Sequence, residues 1–218
     1  MLFFNKLWAA TLNTLFPVPE LPENIRLNDT LFCSTCRARL PENKKTCHKN
    51  AEYILSAATA YDSEVKKMIW QMKYRNRAAL ASPLSELVIR YLENCKLDIE
   101  NFLVIPIPAS RERLRERGYN QAELIATRVA DKFVLEMATT TLVRQSHARP
   151  QAEVKGWRER KENISGCFGV AEPTLIAGRN IILIDDVHTS GATMSEAAHQ
   201  LKDFGAKKII GLVIAKAG

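Results

Sequence analysis

The sequence predicts an α/β protein with a mainly parallel, twisted sheet that helices cover on both faces. Apolar runs typical of buried strands alternate with helical patterns over residues 100–218, and this alternation favours parallel strands joined by crossover helices. The apolar run 181–184 leads directly into two adjacent carboxylates, Asp185 and Asp186, and then into small hydroxylated residues and a glycine. Open α/β sheets bind ligands beyond the carboxyl ends of their strands, so this segment is the candidate site.

Length and composition restrict the class of protein. The 218 residues suffice for one domain of good size with a small appendage. The 31 basic residues outnumber the 24 acidic ones, and the net charge of +7 favours polyanionic partners such as nucleic acids or phosphorylated metabolites. Five unevenly spaced cysteines do not form the pattern of a disulfide framework. We therefore expect a reducing, cytoplasmic setting.

The N-terminal region predicts a helix and a cysteine knuckle. Residues 1–17 favour an amphipathic helix that ends at Pro17 and either docks on the body or binds a membrane surface or partner. No signal peptide or membrane span is predicted. The knuckle covers residues 30–52, and its candidate zinc ligands are Cys33, Cys36 and Cys47. A metal-free hairpin is the alternative, because Asn50 occupies the position where a fourth cysteine would complete the site.

The main domain is predicted over residues 53–218. It begins with a strand at 55–61, after which Asp62 caps a helix over 63–72 whose apolar residues recur at helical spacing. A second helix covers 83–94, and a buried strand at 102–108 ends in prolines. We expect a loop rich in arginine at 111–117, and then a helix capped by Asn120.

The C-terminal part continues the alternation. Residues 134–143 hold a short strand, and 145–160 are polar and basic. After the acidic pair, a helix is predicted from Met194 to Phe204, with Gly205 as the residue that ends it. The last strand covers 209–215.

The chemistry of the acidic segment indicates a phosphorylated sugar. Backbone N–H groups at the start of a helix, together with hydroxyl side chains, form a cradle for a phosphate. The carboxylates of Asp185 and Asp186 suit sugar hydroxyls or a hydrated magnesium ion. A phosphate site beside a diol site fits a ribose 5-phosphate group.

The segment 181–193 resembles the 5-phosphoribosyl diphosphate (PRPP) motif of the type I phosphoribosyltransferase fold. That motif has an apolar strand, two acidic residues, a hydrophobic and a variable residue, and then Thr-Ser/Thr-Gly-Ala/Ser-Thr, and every position fits here. The chain further resembles the ComF family of competence proteins. This likeness extends over about 30–218 and depends on the segments 104–111 and 117–124, on 73–77, on Gln151, Arg160, Asn163 and Phe168, and on the cysteine knuckle.

The resemblance implies roles for particular residues. Asp185 and Asp186 would bind the ribose hydroxyls, directly or through Mg²⁺, and the 5-phosphate would be held by Thr189, Ser190, Gly191, Ala192 and Thr193. The loop with Ala109, Ser110 and Arg111 would face the diphosphate, and residues 144–165 would close over the site as a flap. The implied catalytic residues are Asp185, Asp186 and Arg111.

The function remains open among three alternatives at this point. The resemblance implies a cytoplasmic PRPP-binding protein linked to DNA uptake in natural transformation, with the uptake machinery and single-stranded DNA as partners. The second alternative is an active phosphoribosyltransferase with an unknown acceptor. The third is a non-enzymatic factor that handles single-stranded DNA. The basic residues could be a solvated face, diphosphate contacts or a nucleic-acid surface. The candidates for nucleic acid are Arg113, Arg115, Arg117, Lys73 and Arg75.

Overall fold

The computed structural model describes residues 21–22, 25–28, 31–33, 39–40, 51–95, 97–145 and 166–217. The predicted helix over 1–17, the cysteines Cys36 and Cys47, and nearly all of the predicted flap lie outside these residues. Cys33 is the last residue of the first strand.

The described elements follow the predicted alternation. The strands are β1 (Leu31–Cys33), β2 (Arg39–Leu40), β3 (Ile54–Ala60), β4 (Leu103–Pro106), β5 (Glu136–Met137), β6 (Leu142–Arg144), β7 (Phe168–Val170), β8 (Asn180–His188) and β9 (Lys208–Lys216). The α-helices are α1 (Ser63–Tyr74), α2 (Ala81–Cys95), α3 (Arg111–Arg117), α4 (Gln121–Phe133) and α5 (Ala192–Asp203). Short 3₁₀ turns occur at Ala78–Leu80 and Pro173–Leu175.

Seven of the described strands form one sheet in the order β2-β1-β3-β9-β8-β4-β5. The pairs β3/β9, β9/β8, β8/β4 and β4/β5 are parallel, and only the edge formed by β1 and β2 is antiparallel. The predicted, mainly parallel sheet is therefore confirmed. A separate antiparallel pair, β6 with β7, joins the two ends that flank the predicted flap.

Helices cover both faces of the sheet, as the sequence predicts. Along β8, Ile182 and Ile184 belong to the apolar cluster that contains α1, α2 and α4, whereas Ile181 and Leu183 belong to the cluster that contains α5. Successive side chains of a strand point to opposite faces, so a continuous apolar run supplies both clusters. Each fully buried Ile or Leu contributes roughly 1.5–3 kcal/mol, and this burial holds the end of β8 in a rigid frame.

Helix α1 begins as predicted. Asp62 caps it by accepting a hydrogen bond from the backbone N–H of Val65 at 3.0 Å, which satisfies one of the N–H groups that have no partner within the helix. The predicted helix end at Gly205 is also confirmed, since α5 ends at Asp203 and Gly205 has a φ of +87°.

Three details of the sequence prediction were wrong. Residues Arg111–Arg117 form helix α3 instead of a loop, because Ser110 caps the first turn and its hydroxyl accepts from the N–H of Arg113 at 3.3 Å. Helix α5 begins at Ala192, two residues before the predicted start at Met194. The carboxylates lie within β8, which continues to His188 because the strand pairs with β9 up to its last residue.

Candidate functional site

The site lies where parallel strands end at one edge of the sheet. Asp185 pairs in register with Val213 of β9, and β8 continues beyond β4 on its other side. The segment after β4 stays attached to β8, because the N–H of Ile107 donates to the carbonyl of Ile184 at 2.8 Å. The acidic pair and the loop that leads to α3 therefore come together at the same edge.

A small cradle follows the acidic pair. It is lined by Asp185, Val187, His188, Thr189, Ser190, Gly191, Ala192, Thr193 and Met194, and contains about 240 Å³ of space that includes open solvent. Helix α5 starts at Ala192, so its first N–H groups point toward this space. The cradle thus contains the predicted phosphate residues together with one carboxylate.

Gly191 allows the tight turn of the cradle. Its φ is +80°, and a Cβ at this position would lie 2.7 Å from Nε2 of His188. Residues other than glycine adopt such a backbone conformation rarely. The imidazole of His188 is buried directly beneath the turn. It supports the turn and leaves no space for a side chain at position 191.

A tyrosine that the sequence analysis did not single out connects both ends of the cradle. The hydroxyl of Tyr53 lies 3.2 Å from Nε2 of His188 at the end of β8 and 3.4 Å from Oγ of Ser195 in the first turn of α5. The tyrosine is buried. Tyr53 precedes β3, far from the motif in sequence, so only the tertiary structure identifies it.

Asp186 is held by an ion pair. Its Oδ1 lies 2.7 Å from Nζ of Lys73, and the side chains retain 9% and 24% of their exposure. A carboxylate this deeply buried needs a positive partner, since an unpaired buried charge is strongly destabilising. Lys73, a nucleic-acid candidate from the sequence, therefore belongs to the acidic site.

Asp185 is shifted toward neutrality. Burial, and after it the neighbouring Asp186 carboxylate, raise the pKa of its carboxyl group from the usual 3.8 to about 7. Lys73, a hydrogen bond from the N–H of Asp186 at 2.8 Å, and Arg113 act in the opposite direction. Arg113 of α3 is thus close enough to influence the site electrostatically.

The residues predicted to face the diphosphate lie at the start of α3. Ala109 and Ser110 are half-buried and Arg111 is exposed. They do not belong to the described residues that line the cradle, which all lie between 185 and 194. They are connected to the site through the loop after β4, which is bonded to β8 at Ile184. The side chain of Asn120 also holds this loop, by donating to the carbonyl of Ile107 at 3.0 Å.

The other basic candidates face different surroundings. Arg117 is buried, donates to Oε1 of Gln121 at 3.2 Å, and lies 5.3 Å from the centre of the Tyr74 ring. Arg75 lies 5.3 Å from the centre of the Trp70 ring, while Arg115 is exposed on α3. The basic residues that are clustered in sequence are therefore divided by the fold.

The acidic pair supplies the candidate metal ligands of the cradle. No group of three or more His, Cys, Asp or Glu side chains in this part of the chain is arranged to hold a metal ion. The half-buried carboxylate of Asp185, which opens into the cradle, fits a hydrated Mg²⁺ that also binds oxygen atoms of a ligand. None of the helices in the described ranges is long and apolar enough to cross a membrane.

The chain is similar to one protein family and to several known proteins. The family described as phosphoribosyl transferase domain matches residues 120–218. Competence protein ComFC of Bacillus subtilis is 28% identical over 177 residues, which cover 79% of this chain and 65% of that protein. DNA utilization protein YhgH of Escherichia coli O6:H1 is 26% identical over 204 residues, 92% of this chain and 83% of that protein. A solved structure of glutamine PRPP amidotransferase from B. subtilis aligns with a TM-score of 0.42 at 12% identity, covering 63% of this chain and 26% of that one.

Proposed function

Because the chain belongs to the ComF family and has a phosphoribosyltransferase domain, we propose that it binds PRPP together with Mg²⁺ at the cradle after β8. The bound nucleotide precursor would serve a process of DNA uptake or utilisation, in line with the names of the relatives from B. subtilis and E. coli. The proposed setting is the cytoplasm, and the DNA-uptake machinery is the proposed partner.

The observation that carries this proposal is the juxtaposition of a diol site and a phosphate site. Asp185 lines the same space as Thr189 and Ser190, and the first N–H groups of α5 face it. An acceptor-only carboxylate pairs with sugar hydroxyls, whereas N–H groups at a helix start bind a phosphate. A ribose 5-phosphate group joins these two chemistries in one ligand.

The acidic residues would hold Mg²⁺ through its water shell. When bound, the ion supplies positive charge against the diphosphate that leaves from the sugar. The chain contributes orientation: Asp185 and Asp186 fix the ribose through its hydroxyls, and residues 189–193 hold the 5-phosphate. The segment 144–165 is proposed to cover the site, which would exclude water from the reacting carbon.

An active transferase is the form of this function that we favour. Breaking the bond to the diphosphate places negative charge on the leaving group, so Arg111 and other cations near the loop after β4 would stabilise the transition state. PRPP turnover with candidate bases or single-stranded DNA therefore separates an enzyme from a binding protein, because only an enzyme releases diphosphate when an acceptor is added.

Calorimetry tests the binding itself. Wild-type protein is expected to bind PRPP with Mg²⁺, and Asp185→Ala with Asp186→Ala to abolish that binding while the protein stays folded. The matched control is Glu123→Ala with Asp131→Ala, which removes two exposed carboxylates from α4 and should leave affinity unchanged. Unchanged affinity in the site variant would refute the assignment.

A second function is favoured by an exposed aromatic surface on α1. Trp70 and Tyr74 retain 46% and 63% of their exposure, their ring centres are 5.9 Å apart, and Arg75 and Arg117 each lie 5.3 Å from one ring. Exposed rings beside cations are typical of surfaces on which unpaired bases stack. We propose single-stranded DNA as the occupant, in line with the net charge of +7.

Fluorescence anisotropy with a labelled single-stranded oligonucleotide tests this surface. Replacing both rings, by Trp70→Leu together with Tyr74→Leu, should lower the affinity for the oligonucleotide. The expected loss is at least fivefold for each ring removed, since stacking contributes about 1–3 kcal/mol per base. Phe204→Leu, which alters another exposed aromatic residue, is the control. The absence of wild-type binding at low salt, or equal binding by the variant, would exclude this function.

A further inference from the structure

Lys73 is a cation that the fold delivers to the candidate site from outside the motif. It lies in the last turn of α1, before the segment that matches the phosphoribosyl transferase family. Its Nζ reaches Oδ1 of Asp186 at 2.7 Å, and its charge also lowers the pKa of Asp185. One ammonium group therefore acts on both carboxylates.

The position of Lys73 is fixed by hydrogen bonds to the neighbouring segments. The hydroxyl of Tyr119 donates to the carbonyl of Met72 at 2.6 Å, and this anchors the last turn of α1 next to the start of α4. The adjacent Asn120 donates to the carbonyl of Ile107, whose own N–H donates to Ile184 in β8. This series of bonds connects the backbone at Lys73 to the loop after β4 and to the strand of the acidic pair.

The chemistry of the ligand places a second anion near this ammonium group. In a phosphoribosyl diphosphate, the diphosphate is attached to C1 of the ribose, next to C2, which carries one of the two hydroxyls, and C3 carries the other. A cation that lies 2.7 Å from a carboxylate oxygen proposed to bind these hydroxyls would therefore lie close to the leaving group. The four-carbon stem of lysine is flexible enough to move its charge between two nearby anions.

The remaining exposure of Lys73 permits this movement. Its side chain retains 24% of its exposure, against 9% for Asp186, so the ammonium group is only partly enclosed and needs no rearrangement of α1 to turn toward a ligand. The carboxylate does not lose its only stabilisation when this happens, because ribose hydroxyls can donate to it in place of the ammonium group.

We propose that Lys73 binds the diphosphate of the ligand and that Asp186 holds it in place while the site is empty. This assignment rests on the proposed function and specifies it further: the site recognises the diphosphate with a residue of α1 in addition to the loop after β4. Lys73 is then a residue of the ligand site, and the proposed nucleic-acid surface consists of Trp70 and Tyr74 with Arg75 and Arg117 beside their rings.

Calorimetry with two ligands tests the assignment. Mg²⁺–PRPP carries the diphosphate, whereas ribose 5-phosphate has the same diol and phosphate without it. Lys73→Gln is expected to lower the affinity for PRPP at least tenfold and the affinity for ribose 5-phosphate less than threefold. Lys73→Arg, which keeps the charge, should recover part of the loss. Lys132→Gln removes an ammonium group that pairs with Glu93 at 3.0 Å, away from the site, and should change neither affinity.

The alternatives give different results. Equal losses for both ligands would show that Lys73 only positions Asp186, and unchanged affinity for PRPP would show that it has no part in binding; either result overturns the assignment. If wild-type protein bound neither ligand, the proposed function itself would fail, and the assignment with it. A thermal melt of Lys73→Gln, compared with wild type, identifies a loss caused by unfolding, and Lys73→Arg then decides the question.

Discussion

The phosphate cradle and the basic segment around α3 differ in how their residues are brought together. The cradle is contiguous: residues 185–194 form its described lining, and the turn at Gly191 and the start of α5 follow from neighbouring residues. The basic residues are also close together in sequence, but the fold distributes them. Arg113 acts electrostatically on Asp185, Arg117 is buried beside the Tyr74 ring, and Arg115 is exposed.

This difference shows which kind of function a short motif can specify. Backbone N–H groups, a positive φ and a helix start are local properties, so a run of ten residues determines them. The partner of a long cationic side chain depends on which strand or helix packs next to it. A cluster of small residues in a sequence is therefore good evidence for a phosphate site. A cluster of basic residues in a sequence is much weaker evidence for a binding surface.

The largest expected effect on affinity comes from a substitution in the contiguous cradle. Gly191→Ala should lower the affinity for PRPP at least tenfold. The left-handed conformation costs an alanine roughly 1–2 kcal/mol, and its Cβ would lie 2.7 Å from Nε2 of His188. Gly178→Ala is the control, with a φ of +73° but nothing within 4 Å of the added Cβ. Calorimetry should show a loss only for Gly191→Ala. Similar losses in both variants would mean that general destabilisation, and not the shape of the cradle, is responsible.

A smaller effect on affinity is expected from substitutions in the basic segment around α3. Arg113→Ala should weaken binding of Mg²⁺–PRPP roughly two- to fivefold, the range of an exposed charge pair, because Arg113 acts on Asp185. Arg115→Ala, two residues away on the same helix, should leave this affinity unchanged. The difference should narrow at high salt, since exposed charges are screened. Titrations at low and high salt check both statements, and equal effects of the two variants would contradict the division of the basic segment.

A third effect, on stability instead of affinity, concerns Asp185, at the point where the two regions meet. The pKa of Asp185 is about 7 in the folded protein against the usual 3.8, so the folded state holds a proton that the unfolded chain releases. The resulting stabilisation is complete below about pH 4 and disappears as the pH rises through 7. Asp185→Asn should therefore melt at a higher temperature than wild type at pH 8, with a difference that vanishes toward pH 4.

Differential scanning fluorimetry across this pH range measures the effect. For a chain of this size, each kcal/mol corresponds to roughly 2–4 °C in Tm. Asp131→Asn, which makes the same substitution on the exposed surface of α4, is the matched control. A difference between Asp185→Asn and wild type that is constant from pH 4 to 8 would contradict the raised pKa.

Sequence reasoning was most successful where one residue acts on its neighbours. The cap at Asp62, the strand before the acidic pair and the end of α5 near Gly205 all follow from local chemistry, and the structure confirms them. Helix α3 was missed because Arg and Glu alternate there without the apolar spacing that indicates a helix, although both residues favour helices. The predicted helix over 1–17, the zinc ligands at Cys33, Cys36 and Cys47, and the flap over 144–165 stay predictions.

The contacts that could not be predicted are those between distant segments. Nothing near Lys73 indicates that it pairs with Asp186, and nothing near Tyr53 indicates that it bridges His188 and Ser195. Both depend on how α1 and the start of β3 pack against β8 and α5. The sequence thus predicts the groups that we propose as ligand contacts, and it does not predict the groups that hold them in position.

The glycine at position 211 extends the site to a strand that has no chemical group to offer. A Cβ there would lie 3.0 Å from Sδ of Met194 and 3.1 Å from Cδ2 of Tyr53, which are side chains at the start of α5 and beneath the cradle. A Cβ at position 211 therefore requires Met194 or Tyr53 to shift by a few tenths of an ångström. A substitution in the middle of β9 would thus reach the cradle through its supporting side chains, although Gly211 itself lines no part of it.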